Sequence, residues 1–97
     1  MDNLVRIEFD YSRQGAFAYD GVSLIGECEF IIVADRLWEI THTGVREAYG
    51  GQGIAKKLVL CLVEEARKRG IKIRPTCSYA KKVLLGSEEF QDVCYAE

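Results

Sequence analysis

One histidine, one cysteine just after a proline, and a loop with three glycines carry most of the chemistry this chain can offer. His42 is the sole histidine, and imidazole is the side chain that exchanges a proton near neutral pH. Flanked by Thr41 and Thr43 in a β-prone run, it reads either as a hydrogen-bonded strand residue or as a general base. Cys77 follows Pro75 and Thr76 and precedes a helical pattern. A thiol at a helix start is placed as a nucleophile, or it simply packs. Between them lies Gly50-Gly51-Gln52-Gly53-Ile54-Ala55-Lys56. A strand feeding a glycine loop that opens a helix presents the helix's unpaired N–H groups and the positive end of its dipole, an arrangement that cradles a diphosphate. The alternative is a tight strand-to-helix turn with solvated lysines.

Positioning these groups requires a strand through His42 and a helix after Gly53. Val5, Ile7 and Phe9 alternate with Arg6, Glu8 and Asp10, the period of a strand buried on one face, over Leu4 to Phe9. Ala16 to Tyr19 run into Asp20-Gly21, a hairpin signal. Val22 to Ala34 form a long β-run with Gly26 as a possible bulge. Asp35-Arg36 then reverses the chain into Leu37 to Val45. After Gly53, Ile54, Leu58, Cys61, Leu62 and Ala66 recur at helical spacing. Arg67, Lys68, Arg69 and Gly70 mark the helix stop, and Glu64–Lys68 and Glu65–Arg69 form (i, i+4) pairs. Ile71 to Arg74 is a short strand that a helical crossover lays parallel to Leu37–Val45. Ser78 is the expected cap of a second helix through about Leu85, and Ser87 with Glu88 and Glu89 opens a last turn. The expected fold is α+β: a four-stranded antiparallel meander, a helix, a fifth strand parallel to the fourth, and a C-terminal helix. Ligands collect at the carboxyl ends of parallel strands, which puts the glycine loop and Cys77 at one end of the sheet.

Composition narrows the function classes. The 97 residues are 48% hydrophobic and 29% charged with one proline, the profile of a globule forming one domain over residues 1–97. A formal charge of -2 without a basic run argues against nucleic-acid and membrane-surface binding. The N-terminus MDNLVRIEF lacks a signal-peptide plan, and no apolar run reaches membrane-spanning length. The expected location is cytoplasmic. The four cysteines, at 28, 61, 77 and 94, include no Cys-x-x-Cys pair, so no metal site is expected. They read as reduced thiols, with Cys61 on the buried stripe of the helix.

The glycine loop is not a nucleoside-triphosphate loop, since no Gly-Lys-Ser/Thr follows. Nor is it a dinucleotide fingerprint, because Lys56 replaces the third small residue and Arg74-Pro75 the acidic one. It resembles the phosphate loop of the GNAT acyltransferases, which read Gln or Arg, two residues, Gly, one residue, then Gly or Ala. Gly53 and Ala55 match the last two fixed positions, and Gly50 stands where Gln or Arg is usual. The resemblance is closest to the small single-domain GNAT-like proteins, through His42-Thr43-Gly44-Val45, Gly51-Gln52-Gly53-Ile54-Ala55 and Pro75-Thr76-Cys77-Ser78-Tyr79 in that order.

What the resemblance implies is an acetyl-coenzyme A-dependent N-acetyltransferase with coenzyme A between splayed fourth and fifth strands. Pantetheine would run along Thr43, Gly44 and Val45. The diphosphate would lie at Gly50, Gly51, Gln52, Gly53, Ile54, Ala55 and Lys56, with Tyr79 completing the cofactor-binding set. His42 and Cys77 would be the catalytic candidates. One route is thiolate attack to give acyl-Cys77, with His42 taking the proton. The other is direct attack by an amine, with His42 or Glu39 as base and Cys77 or Tyr79 protonating the leaving thiolate. A coenzyme A-binding or sensing domain without much chemistry is the alternative function. The chain lacks the helices that wall the acceptor site in larger members, so either the groove is open, suiting a large or flexible acceptor, or a second subunit completes it; a monomer or weak homodimer is expected. The acceptor itself is an unidentified amine, on a protein or a small molecule.

Overall fold

Residues 5–95 are described by the computed structural model. Five strands, β1 (Val5–Asp10), β2 (Gly15–Asp20), β3 (Ser23–Ala34), β4 (Leu37–Val45) and β5 (Lys72–Pro75), form one sheet in sequence order. The first four are antiparallel, and β5 pairs parallel to β4. This is the expected meander with a crossover strand. Leu4, the expected start of the first strand, lies outside the described residues.

Short turns set the register of the meander. Asp20 pairs with Ser23, so the first tight turn is Gly21-Val22, with Gly21 at φ 62°. Ala34 pairs with Leu37 around Asp35-Arg36. Three extra residues interrupt the ladders. Ile25, next to the expected Gly26, is unpaired between the Ala18–Gly26 and Tyr19–Leu24 pairs. Val33 on β3 and Thr41 on β4 are the other two. A bulge bends its strand and raises its twist, and Thr41 falls where β4 and β5 part.

Helix α1 (Ile54–Arg69) packs across all five strands and buries Ile54, Leu58, Val59, Leu62, Val63 and Ala66. Each large aliphatic side chain buried this way contributes about 1.5–3 kcal/mol. Cys61, expected on the buried stripe, is only half-buried, because Val59 and Val63 hold the sheet-facing positions instead. Gly70 ends the helix in the left-handed region at φ 67°, its N–H bonding the carbonyls of Ala66 and Arg67. Of the two expected helix pairs, Glu65–Arg69 forms at 3.4 Å, while Lys68 turns to Glu65 at 3.5 Å. On the sheet side, Phe30 stacks on Trp38 with ring centroids 4.1 Å apart, and Phe9 stacks on both.

Helix α2 (Ser78–Leu85) joins the same core through Ala80 and Leu84. A 3-10 turn, Glu88–Phe90, follows, and its cap is Ser87, as expected. Cys94 then bridges Ile73, with Ile73 N–H bonding Val93 O and Tyr95 N–H bonding Ile73 O. This unanticipated segment covers the outer edge of β5, which would otherwise present unpaired backbone groups. Arg67 fastens it by two bonds to the Asp92 carboxylate. The helices thus occupy one face of the sheet, and Glu8, Phe17, Glu27 and Gly44 pair in a row across the strands.

Candidate functional site

Strands β4 and β5 run together only from Leu37–Ile40 against Lys72–Pro75. Beyond that, β4 continues to Val45 paired with β3 alone. Two local causes act at the same level. Thr41 bulges from β4, and Pro75 has no N–H to extend the ladder. The carbonyl of Ile40 closes the paired segment by accepting from Thr76 N–H at 3.1 Å and Cys77 N–H at 3.2 Å. Glu39 clasps the same point: Arg74 donates to it at 2.7 and 3.1 Å, and the Thr76 hydroxyl at 3.0 Å. The Arg74 bonds, then Thr76, hold this carboxyl below its ordinary value. A carboxylate so engaged is a poor proton acceptor, so the suggestion that Glu39 is a general base gives way to a structural clasp.

The glycine loop opens beside the parted strands. After a 3-10 turn at Glu47–Tyr49, Gly51 and Gly53 adopt φ 77° and 79°, a region that costs other residues strain. Gly53 caps α1 without any side-chain bond, and the first turn of the helix holds no acidic residue. Lys56 and Lys57 stand there instead, the wrong charge for a bare helix start and the right one for an anion. Gly50, Gly51, Gly53, Ile54 and Ala55 line a cavity of about 270 Å³ with Val45 and Tyr79. Lys56 and Tyr79 continue into a neighbouring cavity of about 320 Å³ with Lys82. The exposed Gln52 lines neither. A larger hollow of about 590 Å³ lies near Leu85 and Tyr95, but it contains none of the loop, His42 or Cys77. Tyr49 braces the loop by donating its hydroxyl to Asp20, whose carboxylate keeps that phenol protonated and raises its pKa.

Cys77, and not Ser78 as expected, is the cap of α2. Its sulfur accepts from Ala80 N–H at 3.3 Å. The hydroxyl of Thr43 lies 3.5 Å from Cys77 Sγ and 3.4 Å from Cys28 Sγ. Cys28 is fully buried, and burial pushes its thiol up to about 12, more than the Thr43 bond offsets.

Next to Thr43 along β4, His42 belongs to the opposite face, since successive strand residues alternate. Its Nε2 bonds Glu27 Oε2 at 2.9 Å, and its side chain is half exposed. Gly44 makes room for the pair: an added Cβ would lie 3.0 Å from Glu27 Oε2 and 3.1 Å from His42 Nε2. The fold therefore gathers Thr43, Val45, the glycine loop, Cys77 and Tyr79 around the strand gap. It gives His42 a carboxylate partner on the other side of the sheet. The hydrogen-bond partners of the Cys77 side chain are Thr43 and Ala80, and not His42.

Sequence reasoning missed Glu27 and Cys28. The signal was present in the hairpin. Counting back from Asp35-Arg36 opposes Cys28 to Thr43 and Glu27 to Gly44, because the bulges at Val33 and Thr41 lie on opposite strands and cancel.

A mixed sheet whose fourth and fifth strands part beside a glycine-rich helix start is the arrangement of the GNAT fold. The chain belongs to the GCN5-related N-acetyl-transferase family, whose model matches residues 11–93. Members of this family use acetyl-coenzyme A as cosubstrate. Among solved structures, a GCN5-like candidate N-acetyltransferase from Staphylococcus aureus is 34% identical. It aligns over 100% of this chain and 93% of its own, with a TM-score of 0.77. A ribosomal-protein-alanine N-acetyltransferase from Brucella melitensis shares the fold at 21% identity and a TM-score of 0.62, over 86% of this chain and 62% of its own. The ribosomal-protein-S18-alanine N-acetyltransferase from Escherichia coli does so at 16% and 0.61, over 78% and 55%. The comparison with curated proteins returned no match.

Proposed function

We propose that this chain transfers acetyl from acetyl-coenzyme A to an amine by way of Cys77. The observation that carries this reading is the parting of β4 from β5 directly beside the uncapped start of α1. One side of the gap then offers a free strand edge, and the other offers helix amides and a lysine. In this reading the diphosphate lies against Gly50–Lys56. The helix dipole supplies about 0.3 to 2 kcal/mol there, and Lys56 adds a charge-assisted contact. Pantetheine lies along Thr43, Gly44 and Val45, taking up backbone groups that β5 has left.

The thioester then reaches Cys77, whose sulfur already accepts from Ala80 N–H. That bond helps accommodate negative charge as it develops on sulfur. The sulfur attacks the thioester carbonyl, the bond from acetyl to coenzyme A breaks, and the Cys77 proton passes to the departing coenzyme A sulfur. An amine next attacks acetyl-Cys77. The amide forms as the Cys77 carbon–sulfur bond breaks, and the amine's proton returns the thiol. His42, oriented by Glu27 on the open face, accepts the proton that turns an incoming ammonium into a nucleophile.

Mass spectrometry after incubation with acetyl-coenzyme A tests the route. One acetyl on the Cys77 peptide, absent in Cys77→Ala and discharged by an amine, is the expected result. Thiol release that needs the amine and leaves Cys77 unmodified would replace this route by direct transfer. Binding without thiol release under a broad amine screen would leave a coenzyme A-binding domain.

A further inference from the structure

Cys28 is a fully buried thiol of the hydrophobic core, and its side-chain hydrogen bond is with Thr43. Thr43 has one hydroxyl hydrogen and two sulfurs in reach, at 3.4 Å and 3.5 Å. Which sulfur receives that hydrogen decides what Cys77 experiences. The buried, protonated Cys28 has an S–H to give, and desolvation is the main reason it keeps it. The titratable groups that act on it, Cys77, Cys61 and Glu29, all favour the protonated form too. Spending the Cys28 hydrogen on Thr43 Oγ1 leaves the Thr43 hydrogen for Cys77 Sγ. With Ala80 N–H on the same sulfur, Cys77 then accepts twice.

We propose that Cys28 is a positioning residue, donating to Thr43 so that the Thr43 hydroxyl is held as a donor to Cys77 Sγ across the gap between β4 and β5. The relay deepens the acyl-Cys77 reading but is measurable without it. It makes the Cys77 sulfur more reactive whether or not acetyl-coenzyme A is the electrophile.

The test is the rate of Cys77 alkylation by iodoacetamide at neutral pH, followed peptide by peptide so that Cys61 and Cys94 are separated. Cys28→Ala and Thr43→Val should each slow Cys77 alkylation at neutral pH about tenfold, the loss of one hydrogen bond to a charged acceptor. Cys28→Ser and Thr43→Ser, which keep the donors, should stay within about twofold of the parent chain by the same reasoning. An unchanged rate in Thr43→Val overturns the relay, and that variant reads the same bond if Cys28→Ala does not fold. Equal slowing by Cys28→Ala and Cys28→Ser also overturns it, because the effect would then be packing. Absence of acetyl-Cys77 in the parent chain, with these alkylation shifts intact, would instead remove the covalent route and keep the relay.

Discussion

The His42 ring occupies the space that a side chain on Gly44 would need: an added Cβ would stand 3.1 Å from Nε2. The two residues sit two positions apart on β4 and share its open face, so the missing methyl lets the imidazole reach Glu27. Gly44→Ala should therefore turn the imidazole away while the sheet survives, because the ring is half exposed and can yield. The stability change should stay below about 1 kcal/mol, the usual worth of an exposed pair. Ring proton shifts of His42 in NMR, together with a urea titration, check both parts. An intact His42–Glu27 contact in the variant would contradict this role for Gly44.

The loop glycines differ from Gly44 in kind. Gly51 and Gly53 have open space around a hypothetical Cβ but positive φ, so the penalty of substitution is backbone strain. Gly53→Ala should cost about 1–2 kcal/mol in the folded state, read as a lower urea midpoint with unchanged slope. Coenzyme A affinity should fall as well, since relief of the strain turns the first amides of α1 away from the cavity.

Acid should loosen the clasp at the point where the strands part. The carboxyl of Glu39 is held below its ordinary value of 4.5 by Arg74 and Thr76. Its contribution is therefore complete above that value and disappears as pH falls through the lower folded-state pKa. Glu39→Gln should flatten this part of the acid limb in a series of denaturation curves, without abolishing it. Asp92, lowered by its bonds to Arg67, titrates in the same direction. An acid limb as steep as that of the parent chain would deny Glu39 this part.

The meander, α1 and the direction of β5 were legible because each rests on local rules. Alternation gives β1, Asp35-Arg36 the second reversal, and Gly70 the end of α1. The features that shape the site depend on contacts distant in sequence. Thr41 bulges only in the context of its neighbours, and no propensity singles it out. Cys77 replaces Ser78 as a cap because the chain from Pro75 brings sulfur, and not the hydroxyl, over Ala80 N–H. The segment ending at Tyr95 is too short to show a strand period, yet it closes the sheet edge against Ile73. His42 and Cys77 looked like partners by type, but the alternation of β4 places Thr43 and not His42 beside the sulfur.

The strand gap and glycine loop as the seat of coenzyme A are tested most directly by a titration of backbone amide shifts with coenzyme A. Val45, Gly50, Gly51, Gly53, Ile54, Ala55 and Lys56 should move first and saturate together, with Tyr79 following. Saturable binding that leaves these amides still and moves those around Leu85 and Tyr95 would contradict the account.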